Sequence, residues 1–161
     1  MKGADESTTD LQPPMSLDAV SNLLWREREL LELLLFKLDE EHMILAAGRT
    51  RWLVHAAREV DMVLDEIKRI ELERAVVLDD VAAHLEVHGA PTLDALASIA
   101  SGPWPQIFEA HRGALVALTH EIRAAADRNR DVLARGHEAT RSALRSLSLD
   151  GAHIDLVEET T

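Results

Sequence analysis

Residues 17–45, "LDAVSNLLWRERELLELLLFKLDEEHMIL", indicate the fold class, because their apolar side chains recur at alternating spacings of three and four. Seven of the nine positions on this heptad stripe are apolar, and the exceptions are Glu27 and Glu41. A stripe that persists for about four heptads predicts a coiled-coil-like helix that packs against other helices. Its members are Leu17, Val20, Leu24, Glu27, Leu31, Leu34, Leu38, Glu41 and Leu45.

The segment after this helix predicts a hairpin. The run "LLELLLFKL", residues 30–38, is too broadly apolar for one neighbouring helix to cover, so at least two neighbours are expected. Gly48 is typical of a helix end and Thr50 of a helix start, and so short a connection makes the next helix antiparallel. This second helix is predicted from about Arg51 to His88, and at about 1.5 Å per residue it spans roughly 50 Å or more.

The rest of the chain predicts a short helix and a third long one. In "PTLDALASIASGPWP", residues 91–105, Thr92 begins the short helix, and Trp104 is interpreted as a plug at the end of the bundle rather than a ligand contact. The third helix begins near Pro105 and weakens at Gly136. We therefore predict an all-α fold, with an elongated antiparallel helical hairpin and a third long helix in a coiled-coil-like three-helix bundle. Residues 16–147 form the bundle, residues 1–15 a disordered N-terminal tail, and residues 148–161 a mobile acidic C-terminal tail.

Composition narrows the classes of function. The chain has 161 residues, no cysteine, 3% aromatic residues and a formal net charge of −12. An acidic surface repels phosphate backbones, so we expect no nucleic-acid partner. No apolar run approaches the roughly 20 residues of a membrane span, and the N-terminus has no signal-peptide core. A cytoplasmic protein is expected.

The sequence offers few candidates for catalytic, cofactor-binding or metal-binding residues. Phosphate-binding loops, nucleophile elbows and dinucleotide motifs are absent from the sequence. Asp80, His84 and His88 share one helical face and could hold a divalent ion, but no further ligands are evident, and a solvated helix end explains them as well. We expect no enzyme, no cofactor and no metal, although a metal-binding bundle stays open as an alternative.

Asn129 is the unusual residue of the third helix. It lies in "AAADRNRDVL", residues 124–133, on an apolar stripe that also includes Phe108, Leu115, Leu118, Ile122, Ala125 and Val132. A single buried asparagine in a coiled coil lowers stability but fixes the register, because only one alignment satisfies its amide. Alternatively, the amide binds the backbone of a partner protein.

Several motifs in this order resemble the FlgN-type flagellar export chaperones. They comprise a late glutamate of the first helix, which is Glu40 or Glu41, the turn Ala47-Gly48, and Glu71-x-x-Arg74 followed by Val76-Val77. They also include "APTLDALA" at residues 90–97 and "NRDVL" at residues 129–133, where Val132 replaces the first Leu of Asn-x-x-Leu-Leu. The resemblance covers roughly residues 20–145. It implies a non-enzymatic cytoplasmic chaperone that binds hook-associated junction proteins, prevents their premature assembly and delivers them to the flagellar export machinery.

For the contacts with such clients, we predict residues near the end of the third helix and in the tail. These are Asn129, Leu133, Leu144, Leu147, Ile154, Leu156 and Val157. Leu133, Leu144 and Leu147 serve equally well to close the bundle, and Arg135, Arg141 and Arg145 would steer acidic partners or merely keep the helix soluble. The rival function is a generic coiled-coil adaptor or scaffold. Strong self-association would favour that rival, whereas a chaperone is expected to be monomeric or weakly homo-oligomeric.

Overall fold

A computed structural model describes the backbone of residues 15–84, 86, 88, 89 and 91–158, and within these the side chains from residue 17 to residue 146. The described residues contain helices and no strand, which confirms the all-α prediction. The elements are α1 (Met15–Ala46), a 3-10 turn (Thr50–Trp52), α2 (Leu53–His84), α3 (Leu93–Ile99) and α4 (Trp104–Glu158). None of the described helices combines enough length and apolarity to cross a bilayer.

The connection between α1 and α2 turns at Gly48, as predicted. Gly48 has a φ of 63°, and its N–H donates to the Leu45 carbonyl while the N–H of Arg49 donates to the Ile44 carbonyl, both at 3.0 Å. These two bonds form a Schellman motif, which needs a left-handed residue at this position. The capping prediction for Thr50 is wrong, because Thr50 lies within the 3-10 turn and Arg49 precedes it without a side-chain cap.

The helix ends on either side of α3 lie close to the predicted positions. Thr92 caps α3, since its hydroxyl accepts a hydrogen bond of 3.2 Å from the N–H of Ala95. α2 ends at His84, four residues earlier than expected, and the chain then turns through Glu86 and Gly89, which both have positive φ. α4 begins at Trp104, whose ring stacks on that of Phe108 at 5.8 Å and packs against the core. Trp104 is thus half-buried against the core, and its role as a plug at the end of the bundle stays an interpretation.

Within the residues predicted as one bundle domain, the chain forms two compact units, and α1, α2 and α4 contribute to both. Unit 1 comprises the residues up to Leu30 together with Glu66–Val116. Its core brings four helices together and contains Val20, Leu24, Leu78, Val81, Leu96 and Phe108. Unit 2 comprises Leu31–Asp65 and the residues from Ala117 onward. Its buried residues are Leu34, Leu38, Ala56, Val63, Ala125 and Asn129.

The last part of α4 whose side chains are described is exposed to solvent. The helix is continuous across Gly136, and every residue from Leu133 to Ser146 is exposed. We call residues 133–146 the distal segment. The mobility predicted for residues 148–161 stays a prediction, because only the backbone up to Glu158 is described there. Residues 1–14 of the predicted N-terminal tail lie outside the described part of the chain.

Candidate partner-binding site

Asn129 on α4 is buried against α1 of the same chain, within unit 2. Only 3% of it is exposed, and its Nδ2 donates to the Leu38 carbonyl at 2.8 Å and to the Glu41 carboxylate at 2.9 Å. Its Oδ1 accepts from Nδ1 of His42 at 3.0 Å. Because a shift of α4 by one residue would break all three bonds, this geometry favours the interpretation that Asn129 fixes the register.

Glu41, one of the two polar exceptions on the heptad stripe, therefore has a structural explanation. Its carboxylate is half-buried and accepts a hydrogen bond from the amide of Asn129. On the same pair of helices, Arg128, the residue before Asn129, forms an exposed ion pair of 3.0 Å with Asp39. Polar side chains of α1 and α4 in unit 2 thus contact each other, which leaves the neighbouring apolar side chains to pack.

Glu27, the other exception, pairs with α2 in unit 1. Its side chain is nearly buried, and Nε of Arg74 lies 3.0 Å from its Oε2, although the N–H does not point along the line of a hydrogen bond. Burial raises the pKa of the Glu27 carboxyl, and Glu71 raises it further, whereas Arg74 opposes both effects. Arg74 of the motif Glu71-x-x-Arg74 is thus the counter-ion of a buried carboxylate on α1.

His111 is a buried residue that the sequence analysis did not select. It is 1% exposed, its Nε2 lies 3.3 Å from the Ser21 hydroxyl, and its ring meets that of Trp25 edge-on at 5.1 Å. Nδ1 of His111 has no hydrogen-bond partner among the described atoms. Burial lowers the pKa of His111, and the nearby guanidinium of Arg28 lowers it further. Its position three residues after Phe108 and four before Leu115 was the available signal.

The distal segment places two of the predicted contact residues on one helical face. Leu133 and Leu144 are 44% and 60% exposed, and they are separated by 11 positions, close to three turns of 3.6 residues. Asn129 lies one turn before Leu133, but it is buried. The side chains of Leu147, Ile154, Leu156 and Val157 lie outside the described part of the structure. The structure therefore presents Leu133 and Leu144 to solvent and holds Asn129 against α1.

Arginine dominates the charge of the distal segment. Glu138 lies 2.9 Å from Arg145 and 3.8 Å from Arg141, so one carboxylate is shared by two guanidinium groups. All three side chains are about 60% exposed. Exposed ion pairs of this kind contribute little to stability, so the two arginines can exchange Glu138 for another acidic partner at small cost.

Exposed apolar side chains also occur elsewhere. In unit 2, α1 exposes Leu33, Phe36 and Met43. In unit 1, α1 and α2 border a shallow groove of about 520 Å³, whose apolar lining is Ala19, Leu23, Val76 and Val77, and the ion pair of Arg26 and Glu73 lies at its edge. These exposed side chains lie in segments of α1 and α2 that also contribute buried residues, whereas every residue from Leu133 to Ser146 is exposed.

The residues considered for metal binding do not assemble a site. Nδ1 of His84 donates to the backbone carbonyl of Asp80 at 2.7 Å, which is the contact of a helix end. Across the part of the chain that the structure describes, no group of three or more histidine or acidic side chains is placed to hold a metal ion.

Comparison with known proteins identifies one family. A family model described as "FlgN protein" matches residues 15–153. No curated protein and no solved structure matches the chain. The match covers α1 to α4, including the distal segment and both polar exceptions of the heptad stripe.

Proposed function

Because the chain belongs to the FlgN family, a family of flagellar export chaperones, we propose that it binds hook-associated junction proteins in the cytoplasm before their secretion. Binding covers the segments through which these proteins assemble, and the complex then delivers them to the flagellar export machinery. The observation that supports a binding role is the distal segment, a stretch of α4 in which every residue is exposed.

The distal segment has the physical properties expected of a binding surface. Isolated helices of fewer than about 12–15 residues are marginal in water, because most helical stability in proteins comes from packing. A partner that covers Leu133 and Leu144 supplies that packing, and Leu147, Ile154, Leu156 and Val157 would extend the contact toward the C-terminus. Ordering both partners on binding costs several kcal/mol of the gross interaction, which keeps the complex releasable.

For Asn129 we propose a supporting role in the same site. Among the side chains of α4 that the structure describes, it is the last buried one, and it lies one turn before Leu133. Its bonds to α1 hold the start of the distal segment in place, so a client meets a helix that is anchored at one end. This anchoring reduces the freedom that the client must restrict on binding, which favours affinity.

Truncation after Arg135 tests this proposal. The shortened protein should retain its packed units, lose helicity in proportion to the residues removed, and lose binding of purified junction proteins in isothermal titration calorimetry. The full-length variant L133S/L144S should lose binding without truncation. L72S, which removes a leucine of α2 that is 70% exposed, is the control. Unchanged binding by both the truncated protein and L133S/L144S would exclude the distal segment as the contact site.

A second experiment separates a chaperone from a general scaffold. Light scattering on the purified protein should give a monomer or a weak dimer, and addition of a junction protein should give a larger, defined complex. A stable higher oligomer that ignores junction proteins would instead support the scaffold.

A further inference from the structure

The distal segment carries a charge opposite to that of the whole chain. The chain has a formal net charge of −12, but residues 133–146 contain three arginines and one glutamate. Arg135 forms no ion pair with a described side chain, and Arg141 and Arg145 share Glu138. An excess of positive charge therefore lies on a stretch of α4 in which every residue is exposed.

Two of the three arginines, Arg141 and Arg145, lie beside the apolar face rather than opposite it. With 3.6 residues per turn, Leu144 is rotated by only about 20° from Leu133, whereas Arg141 and Arg145 are rotated by roughly 80° and 120° in one direction. Arg135 lies on the far side, at roughly 200°. A helix that packs along Leu133 and Leu144 would thus pass Arg141 and Arg145 on one flank.

This arrangement determines the chemistry of a complementary partner. We propose that the distal segment binds an acidic amphipathic helix, whose apolar side chains contact Leu133 and Leu144 and whose carboxylates lie along Arg141 and Arg145. The inference rests on the proposed function and adds the partner's charge to it. Guanidinium groups bind carboxylates with paired, directed hydrogen bonds, so the flank also selects the orientation of the helix. A basic helix with the same apolar face is repelled.

Two designed peptides of about 20 residues test the inference on the full chain. Both carry the same leucine stripe, and one has glutamate and the other lysine on the flank. Calorimetry should detect binding of the glutamate peptide, weakened when sodium chloride is raised from 50 to 300 mM, because salt screens exposed charges. R141Q/R145Q should weaken this binding about five- to tenfold, as expected for two exposed pairs.

The control is R58Q/R123Q, which makes the same change in net charge at exposed arginines outside the distal segment and should bind the glutamate peptide like the wild type. Equal binding of the two peptides, or no effect of R141Q/R145Q, would overturn the inference while leaving the proposed function intact. Failure of L133S/L144S to weaken binding of purified junction proteins would instead remove the site itself. If light scattering shows that a second copy occupies the segment and excludes the glutamate peptide, the inference is also overturned.

Discussion

Replacing Asn129 by alanine removes the polar contact between α1 and α4 in unit 2. Three hydrogen bonds of 2.8–3.0 Å are lost, two with neutral groups and one with the Glu41 carboxylate. At about 1 kcal/mol for each neutral bond and about 2 kcal/mol for the charged one, the sum is roughly 4 kcal/mol. Glu41 and His42 are half-buried and regain water, so we expect N129A to lower the free energy of unfolding by about 2–3 kcal/mol.

Replacement by leucine should behave differently. Burying a leucine at this position gains about 2 kcal/mol, which offsets most of the lost hydrogen bonding, so N129L should lie within about 1 kcal/mol of the wild type. Leucine no longer distinguishes one alignment of α4 from another, and the register should become less specific. Residues at the start of the distal segment should then exchange their amide hydrogens faster, although global stability is nearly unchanged.

Urea unfolding followed by circular dichroism at 222 nm measures these differences, and D131A, an exposed change two residues away, is the control. A double-mutant cycle with E41A isolates the bond between Asn129 and Glu41, for which we expect a coupling of about 1 kcal/mol. If N129A unfolds at the same urea concentration as D131A, and the coupling with Glu41 is zero, the assignment of Asn129 as a register-fixing residue is wrong.

Three further predictions concern unit 1 and two glycines. Burial lowers the pKa of His111, so the unfolded chain takes up a proton at this residue before the folded protein does as the pH falls below about 6.5. The stability of the wild type should therefore drop between pH 7.5 and 5.5. H111F should show a smaller drop in urea midpoint over the same range. R74M leaves the buried Glu27 carboxylate without its counter-ion and should lower the free energy of unfolding by about 2–3 kcal/mol at pH 7.5. Because the pKa of Glu27 is raised in the folded state, this loss of stability should shrink as the pH approaches about 4.3. E27L/R74M should recover most of the lost stability in the same urea assay. G48A should lower the free energy of unfolding by about 1–2 kcal/mol, because the φ of Gly48 is 63°, even though a Cβ there would meet no atom. G136A, in an open helical position, should instead increase the magnitude of the ellipticity at 222 nm. Equal urea midpoints of G48A and wild type would contradict the claim that Gly48 is needed for its positive φ.

The heptad stripe of α1 could be predicted in detail, because a spacing of three and four determines which face of a helix is buried. Val20, Leu24, Leu34 and Leu38 are buried as expected, and even Glu27 lies on the buried face. The spacing does not determine which helix each position meets. That Glu27 pairs with α2 and Glu41 with α4 depends on contacts between residues 47 and 88 positions apart, which one sequence does not reveal.

Local signals near helix ends gave mixed results for a related reason. Gly48 and Thr92 act through their own backbone and side-chain geometry, so their roles could be predicted from residue type. Thr50 has the right chemistry for a cap, but the Schellman turn at Gly48 places it inside a 3-10 turn. At Gly136 a penalty of about 1 kcal/mol was expected to weaken α4, but the neighbouring alanines, arginines and leucines favour helix, and the backbone continues.

The candidate site was partly accessible from the sequence. Leu133 and Leu144 were selected because a thin apolar stripe persists there, and both are exposed. The stripe alone could not show that Asn129 is buried or that residues 133–146 are all exposed, since both facts depend on where the hairpin of α1 and α2 ends. The function of these residues as contacts is a prediction that the binding experiments decide.

The last buried position on α4 also marks a change in evolutionary constraint. Before Asn129, substitutions at the buried positions of α4 disturb a neighbouring helix and should be selected against whatever the protein binds. From Leu133 to Ser146 every residue is exposed, so under the proposed function the bound client would be the main constraint on mutations there. Among species with divergent junction proteins, this stretch should accumulate amino-acid replacements in step with the surface of the client, while the preceding helices drift slowly.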